Sequence, residues 1–155
     1  IQRVALIDFD VHHGNGSEDI FQGDARVLMC SIFEKGIYPF CGEDPTGTNM
    51  VNVGLPSRSG SDAFRAAVTS QWIPALDAFA PELIYISAGF DGHREDDMGN
   101  LGLVEADYEW VTQQIMAVAR RHCKGRVISC LEGGYALNPL ARSVAAHIKV
   151  LIGAD

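Results

Sequence analysis

Basic residues are scarce in this chain. Twelve Lys and Arg stand against twenty Asp and Glu, a formal net charge of −8 over 155 residues. A surface of that sign excludes the sequence-independent nucleic-acid binding that needs a basic face. It serves solubility first, and it would also attract a cationic substrate such as a lysine-rich tail or a polyamine. The four cysteines, Cys30, Cys41, Cys123 and Cys130, include no C-x-x-C pair. Cys30 and Cys130 fall in apolar, strand-like runs, which predicts buried free thiols and a reducing compartment rather than disulfides. No signal-peptide pattern and no apolar stretch of membrane-spanning length is present, so no membrane partner is expected. A cytoplasmic location is expected, or a nuclear one if the source is eukaryotic. Repeats, low-complexity tracts and linkers are missing as well. So is an initiator methionine: the chain opens with IQRVALIDFD, already inside a strand-like run, and a fragment is the expectation.

What is present is a real core composition, 47% hydrophobic, with 16 glycines marking many turns. Residues 3–9 and 26–33 read as buried strands, 83–87 and 126–131 as further strands, and 51–55 as a short one. Helical patterns cover 17–22, 61–79 and 104–122, with Ser61 as an N-cap and Pro74 as a break or kink. Asn138-Pro139 reads as an N-cap followed by Pro at the first helical position. The last helix then carries Leu140, Val144, Ile148 and Leu151. Residues 34–50 read as a long loop, and such loops are often functional. Strands alternating with helices predict a parallel α/β sheet. Sites in such sheets lie beyond the C-terminal strand ends. Three strong strands run out into DFDVHHGNG, SAGFDGH and LEGGY, which would meet on one sheet edge.

Asp8, Asp10 and His12 are spaced by two, so an extended chain puts them on one face. Three polar groups there are costly in a core unless a cation is bound, and Asp oxygen and His nitrogen are both zinc ligands. A catalytic zinc keeps three protein ligands and one open position. Asp91, at the end of another strand, could supply the third, with Gly89 and Gly92 letting the backbone bend around it. Taken singly, each piece has an ordinary role. A lone D-x-H is common, Asp91 could cap a loop, Tyr135 could simply pack, and Gly133-Gly134 could be only a turn. Their joint placement carries the argument. Gly14-x-Gly16 is not a dinucleotide fingerprint, because Asp19 stands where the third glycine belongs.

The strings IDFDVHHGNG (7–16), SAGFDGHREDDMGNLGL (87–103) and LEGGY (131–135) resemble the histone deacetylase and acetylpolyamine amidohydrolase superfamily, in the style of class II and bacterial members. The resemblance runs over nearly the whole chain in the family's order. It implies an arginase/deacetylase-like three-layer α/β sandwich, apparently partial. Residues 1–155 would then be the C-terminal zinc-binding portion of one deacetylase domain. It also implies a zinc-dependent amidohydrolase that removes acetyl groups from acetyl-lysine of a protein or from acetylated polyamines. Asp10, His12 and Asp91 match the zinc ligands. Tyr135 matches the phenol that stabilises negative charge on the acyl oxygen, a donor worth about 3 kcal/mol. Asp8, Ser31 and Ile32 match a structural potassium site. Phe21, Asp24 and Val27 match a weaker cation site built from backbone oxygens. Tyr38 and Met98 match walls of the substrate tunnel, with Gly133 and Gly134 beside them, and Asn15 matches an orienting residue.

Two departures follow. Asp97 stands where the family has Pro before Met98. The family's tandem His pair, its general acid and base, lies upstream of the D-x-H strand and has no match here. His13 should face away from the ligands and His122 and His147 sit in helices, which leaves His93 as the only conceivable substitute. General acid–base help is worth about 10²–10⁴-fold, so the isolated chain is expected to be slow or inactive. The rival readings are a non-catalytic metal-binding or scaffold module that self-associates or pairs with a missing N-terminal half, and an arginase-like hydrolase. Iron in place of zinc stays open.

Overall fold

The computed structural model describes residues 1–154. Five parallel strands, β1 (Val4–Asp8), β2 (Val27–Glu34), β3 (Met50–Leu55), β4 (Leu83–Ala88) and β5 (Val127–Leu131), form one sheet in the order β3-β2-β1-β4-β5. Five α-helices connect or follow them: α1 (Asn15–Phe21), α2 (Gly60–Ala67), α3 (Ile73–Phe79), α4 (Glu105–His122) and α5 (Leu137–Ile152). The central strands are apolar on both faces because both faces are covered, as in all-parallel sheets.

The two faces are covered unequally. Ala5, Ile7, Leu28, Ile32, Ile84 and Ile86 point into the main core. There they meet Phe64, Trp72 and Leu76 of α2–α3 and Tyr108, Val111 and Ile115 of α4. Truncating one of these to Ala should cost about 2–5 kcal/mol. On the opposite face a small cluster of Leu6, Met29 and Met50 is capped by Phe21 of α1 and by Tyr85. Among the described residues, α1 is the only helix on that side. The sandwich is therefore partial. Its β5 edge shows the same thing, since Ile128 and Leu131 are exposed.

Several local expectations are corrected. Residues 61–79 form α2, a π-helical turn at Val68–Trp72, then α3 with Pro74 in its first turn. The proline does divide the segment, because it has no N–H to donate. Ser61 is not the N-cap of α2, which begins at Gly60. Its hydroxyl donates instead to Asp107 of α4, beside Arg65. The last helix starts at Leu137 with Ala136 as N-cap, so Pro139 is its third residue. All four cysteines are free, but Cys130 is only half-buried and pairs with the Tyr85 hydroxyl at 2.9 Å.

In-register pairing matters for the site. Asp8 aligns with Ser31 on one side and Ser87 on the other, a polar row across three adjacent strands at the level where β1 ends.

Candidate metal centre

Just beyond that row the chain turns sharply three times and places its polar side chains together. Asp10 and His12 follow β1, Asp91 follows β4, and Gly133 and Tyr135 follow β5. Asp10 Oδ1 lies 3.1 Å from His12 Nδ1, and Asp91 Oδ2 lies 3.2 Å from the same nitrogen. A tetrahedral ion with bonds of about 2.0 Å needs donors about 3.3 Å apart, so this spacing fits one. The Asp91 side chain is fully buried and its Oδ2 has no hydrogen-bond partner. An orphaned buried carboxylate oxygen is costly, and a cation is the partner it lacks. Burial, and then the charge of Asp10, pushes the Asp91 carboxyl up to about 7. The donor set fits zinc.

The candidate ligands are held by backbone. Asp10 Oδ2 accepts the Gly133 N–H at 2.7 Å, Asp91 Oδ1 accepts the Val11 N–H at 2.9 Å, and Asp8 Oδ1 accepts the Asp10 N–H at 3.0 Å. The Asp8 carboxyl is itself pushed well up, first by burial. Against Asp10 and Asp91 glycine is required at two points. A Cβ on Gly133 would lie 2.0 Å from Asp91 Oδ2, and one on Gly89 would lie 2.3 Å from Asp10 Oδ2. Gly92 has only ordinary contacts, so the close approach expected there falls on Gly89 alone.

A cleft of about 500 Å³ opens on Asp10 and His12, with Gly133 and Tyr135 on its far wall. The Tyr135 ring is exposed. Desolvation, then the charges of Asp91 and Asp10, raises its pKa, so it stays a proton donor at neutral pH. Tyr38 stands with its ring centroid 6.3 Å from that of His12, edge to face. Met98 is exposed and outside this cleft; Gly134, half-buried with a φ of +145°, is outside it too.

The remaining expected residues sort as follows. Asn15 is exposed at the first position of α1. Ser31 and Ile32 are buried on β2, with Ser31 Oγ 3.4 Å from His13 Nδ1. The carbonyls of Phe21, Asp24 and Val27 do converge, but on the Asn49 amide, 2.9, 3.2 and 2.9 Å from its Nδ2. His13 turns away from the ligands to the buried carboxylate of Glu18. His93 is buried outside the cleft. Its Nδ1 accepts the Glu95 N–H and its Nε2 faces Glu105 at 3.4 Å, so it is no substitute base.

Two organising carboxylates escaped the sequence reading. Glu18 accepts from Thr46 N–H, Thr46 Oγ1 and Asn52 Nδ2 as well as His13, and so ties α1 to the 35–49 loop, to β3 and to the segment after β1. Asp96 accepts three backbone N–H groups, from Met98, Tyr135 and Ala136. Apart from Met98 to Asp96 and His13 to Glu18 these bonds are non-local, and only the run of acids around Asp96 hinted at one of them.

A parallel α/β sheet with Asp10, His12 and Asp91 gathered at its C-terminal edge offers a candidate metal site. The comparisons make the class specific. The histone deacetylase domain family matches residues 1–151, and the chain belongs to that family. Type-2 histone deacetylase 2 of Dictyostelium discoideum is 43% identical over 97% of this chain and 10% of its own length. Histone deacetylase 14, chloroplastic, of Arabidopsis thaliana is 37% identical over all of this chain and 38% of its own. The histone deacetylase-like amidohydrolase of Pseudomonas aeruginosa is 34% identical, over 87% and 37%. Among solved structures, the HDA15 HD domain superposes with a TM-score of 0.88 at 33% identity, over 99% of this chain and 45% of that one. The chain thus spans less than half the length of these relatives.

Proposed function

We propose that this chain is the C-terminal, zinc-binding portion of a deacetylase domain, and that the complete protein hydrolyses acetyl amides. The substrate would be acetyl-lysine in a protein or an acetylated polyamine, drawn to a chain of net charge −8. The observation that carries this reading is the convergence of Asp10, His12 and the unpartnered Asp91 Oδ2 beside Tyr135.

Asp10, His12 and Asp91 would hold the ion. When bound, zinc supplies Lewis acidity toward the amide carbonyl and toward water. Asp8 fixes the Asp10 backbone, and Gly133 orients the Asp10 carboxylate through its N–H. Tyr135 donates its phenol hydrogen to the acyl oxygen as negative charge grows there. Tyr38 offers an exposed ring beside His12 against which an aliphatic stem can lie. General acid–base groups would come from outside these residues, since His13 is engaged by Glu18 and His93 is turned toward Glu105. Potassium at Asp8, Ser31 and Ile32 belongs to the same proposal.

The test is zinc per chain after dialysis, for the wild type and Asp91→Ala, together with acetyl-lysine hydrolysis by the complete deacetylase domain carrying the same change. Near-stoichiometric zinc lost in the variant, with activity lost in parallel, supports the reading. Retained activity in the Asp91→Ala domain overturns it.

A further inference from the structure

Tyr135 has no side-chain hydrogen bond of its own and an exposed ring, so its place is set by its backbone. That backbone is held from both ends. On the N-terminal side the Gly133 N–H donates to Asp10 Oδ2 at 2.7 Å, and the Gly133 carbonyl accepts from the Phe90 N–H at 2.7 Å. On the C-terminal side both the Tyr135 N–H, at 2.7 Å, and the Ala136 N–H, at 2.9 Å, donate to Asp96 Oδ2. The other oxygen of Asp96 accepts the Met98 N–H at 3.0 Å. Asp96 itself is buried, 7% exposed, in the loop after β4. It sits where α5 begins, and a carboxylate there also offsets the positive end of that helix.

We infer that Asp96 is a positioning residue for Tyr135: one carboxylate oxygen fixes the 135–136 backbone over the metal centre, and the other couples that turn to the loop bearing Met98. The inference rests on the proposed function for its effect on rate, but the anchor itself can be tested without any activity. The two oxygens predict two different variants. Asp96→Ala removes all three bonds. Asp96→Asn keeps one carbonyl oxygen that can face Tyr135 and Ala136, and presents an NH₂ group to the Met98 N–H.

The experiment is amide hydrogen exchange on this chain with zinc added, alongside kcat and KM of the complete domain on an acetyl-lysine peptide. In Asp96→Ala, exchange at Tyr135 and Ala136 should rise at least about tenfold while zinc stoichiometry is kept, because no ligand is touched. In the complete domain kcat should fall about 10–100-fold with KM nearly unchanged, the mark of an interaction made in the transition state. On a Tyr135→Phe background the same change should cost almost nothing more, since both act through one phenol. Asp96→Asn should restore protection at Tyr135 and Ala136 and most of kcat, and leave Met98 loosened. If Asp96→Ala does not fold, Asp96→Asn still decides, because the inference requires that split between Met98 and Tyr135. Unchanged exchange at Tyr135 in Asp96→Ala, no split in Asp96→Asn, or full additivity with Tyr135→Phe overturns the inference. An inactive wild-type domain would sink the deacetylase reading alone, and the exchange data would still decide the anchor.

Discussion

Asp91 Oδ2 lies 3.2 Å from His12 Nδ1, fully buried and with no hydrogen bond of its own. If this pair holds the proposed zinc, the chain's stability should depend on metal. A ligand held at about a hundredfold above its Kd stabilises a fold by about 2.7 kcal/mol. Adding zinc should therefore raise the melting temperature of the chain, and a chelator should reverse the rise. Asp91→Ala should show neither effect. Equal zinc shifts in both proteins, by thermal melting, would contradict the site.

Gly133→Ala should be nearly as damaging, although it removes no ligand. Its Cβ would lie 2.0 Å from Asp91 Oδ2 and 2.6 Å from Asp10 Oδ2. We expect zinc binding to be lost and stability to fall by about 1–3 kcal/mol. Gly16→Ala, where a Cβ meets nothing within 4 Å inside α1, is the control. It should gain up to about 1 kcal/mol. Denaturant titration measures both.

Asn49 collects three backbone carbonyls on its Nδ2 and the Gly23 N–H on its Oδ1. Asn49→Ala would leave these groups short of partners and should cost about 1–3 kcal/mol. Melting in potassium and in choline chloride tells whether a cation can take over. A larger potassium dependence in the variant than in the wild type is the expected outcome, because only then are the carbonyls free to accept one.

His147 is buried between Thr112 Oγ1, 2.7 Å from Nδ1, and Ser129 Oγ, 2.9 Å from Nε2. The Thr112 hydroxyl donates to the Tyr108 carbonyl, so it accepts from His147 Nδ1–H, and Nε2 accepts from Ser129. Burial lowers the His147 pKa from 6.5 to about 4. The sign follows: between those values the unfolded chain binds a proton that the folded chain refuses. The stabilisation is complete above pH 6.5 and is lost as pH falls toward 4, at up to about 1.4 kcal/mol per unit. His147→Gln should be less stable at pH 7.5 but flatter over this window in pH-dependent melts.

The free edge of β5 exposes Ile128 and Leu131 beside unpaired backbone groups. Such an edge pairs with whatever strand is offered. The isolated chain should self-associate as concentration rises, and Ile128→Glu should reduce it. Light scattering that shows a monomer at all concentrations would count against this and against the need for a completing half.

The alternation of strands and helices, the parallel sheet and the meeting of Asp10, His12 and Asp91 were readable from periodicity and spacing. DFDVHHG, GFDGH and LEGGY lie at strand ends, and a parallel sheet brings strand ends to one edge. The helix starts were less legible. Ser61 looks like a cap and Asn138-Pro139 looks like another, because both have the right residue types in the right local order. In the fold Ser61 is drawn to Asp107, 46 residues away, and the start of α5 is anchored by Asp96, 40 residues away. A local pattern loses whenever a buried charge from another element offers a stronger acceptor.

The same contrast separates what each level determined. Sequence alone determined the strand runs and the presence of Asp8, Asp10 and His12 at a strand end, because these depend on residue type and on a backbone period of two; β1 stops at Asp8, so the turn after it, and not strand alternation, brings Asp10 and His12 to Asp91. Tertiary structure alone decided that Gly89 and not Gly92 must lack a side chain, that His13 and His93 are spent on Glu18 and Glu105, and that Asp96 holds Tyr135. Those outcomes depend on which distant groups meet at a few ångströms, and that is set by how the sheet and its helices pack.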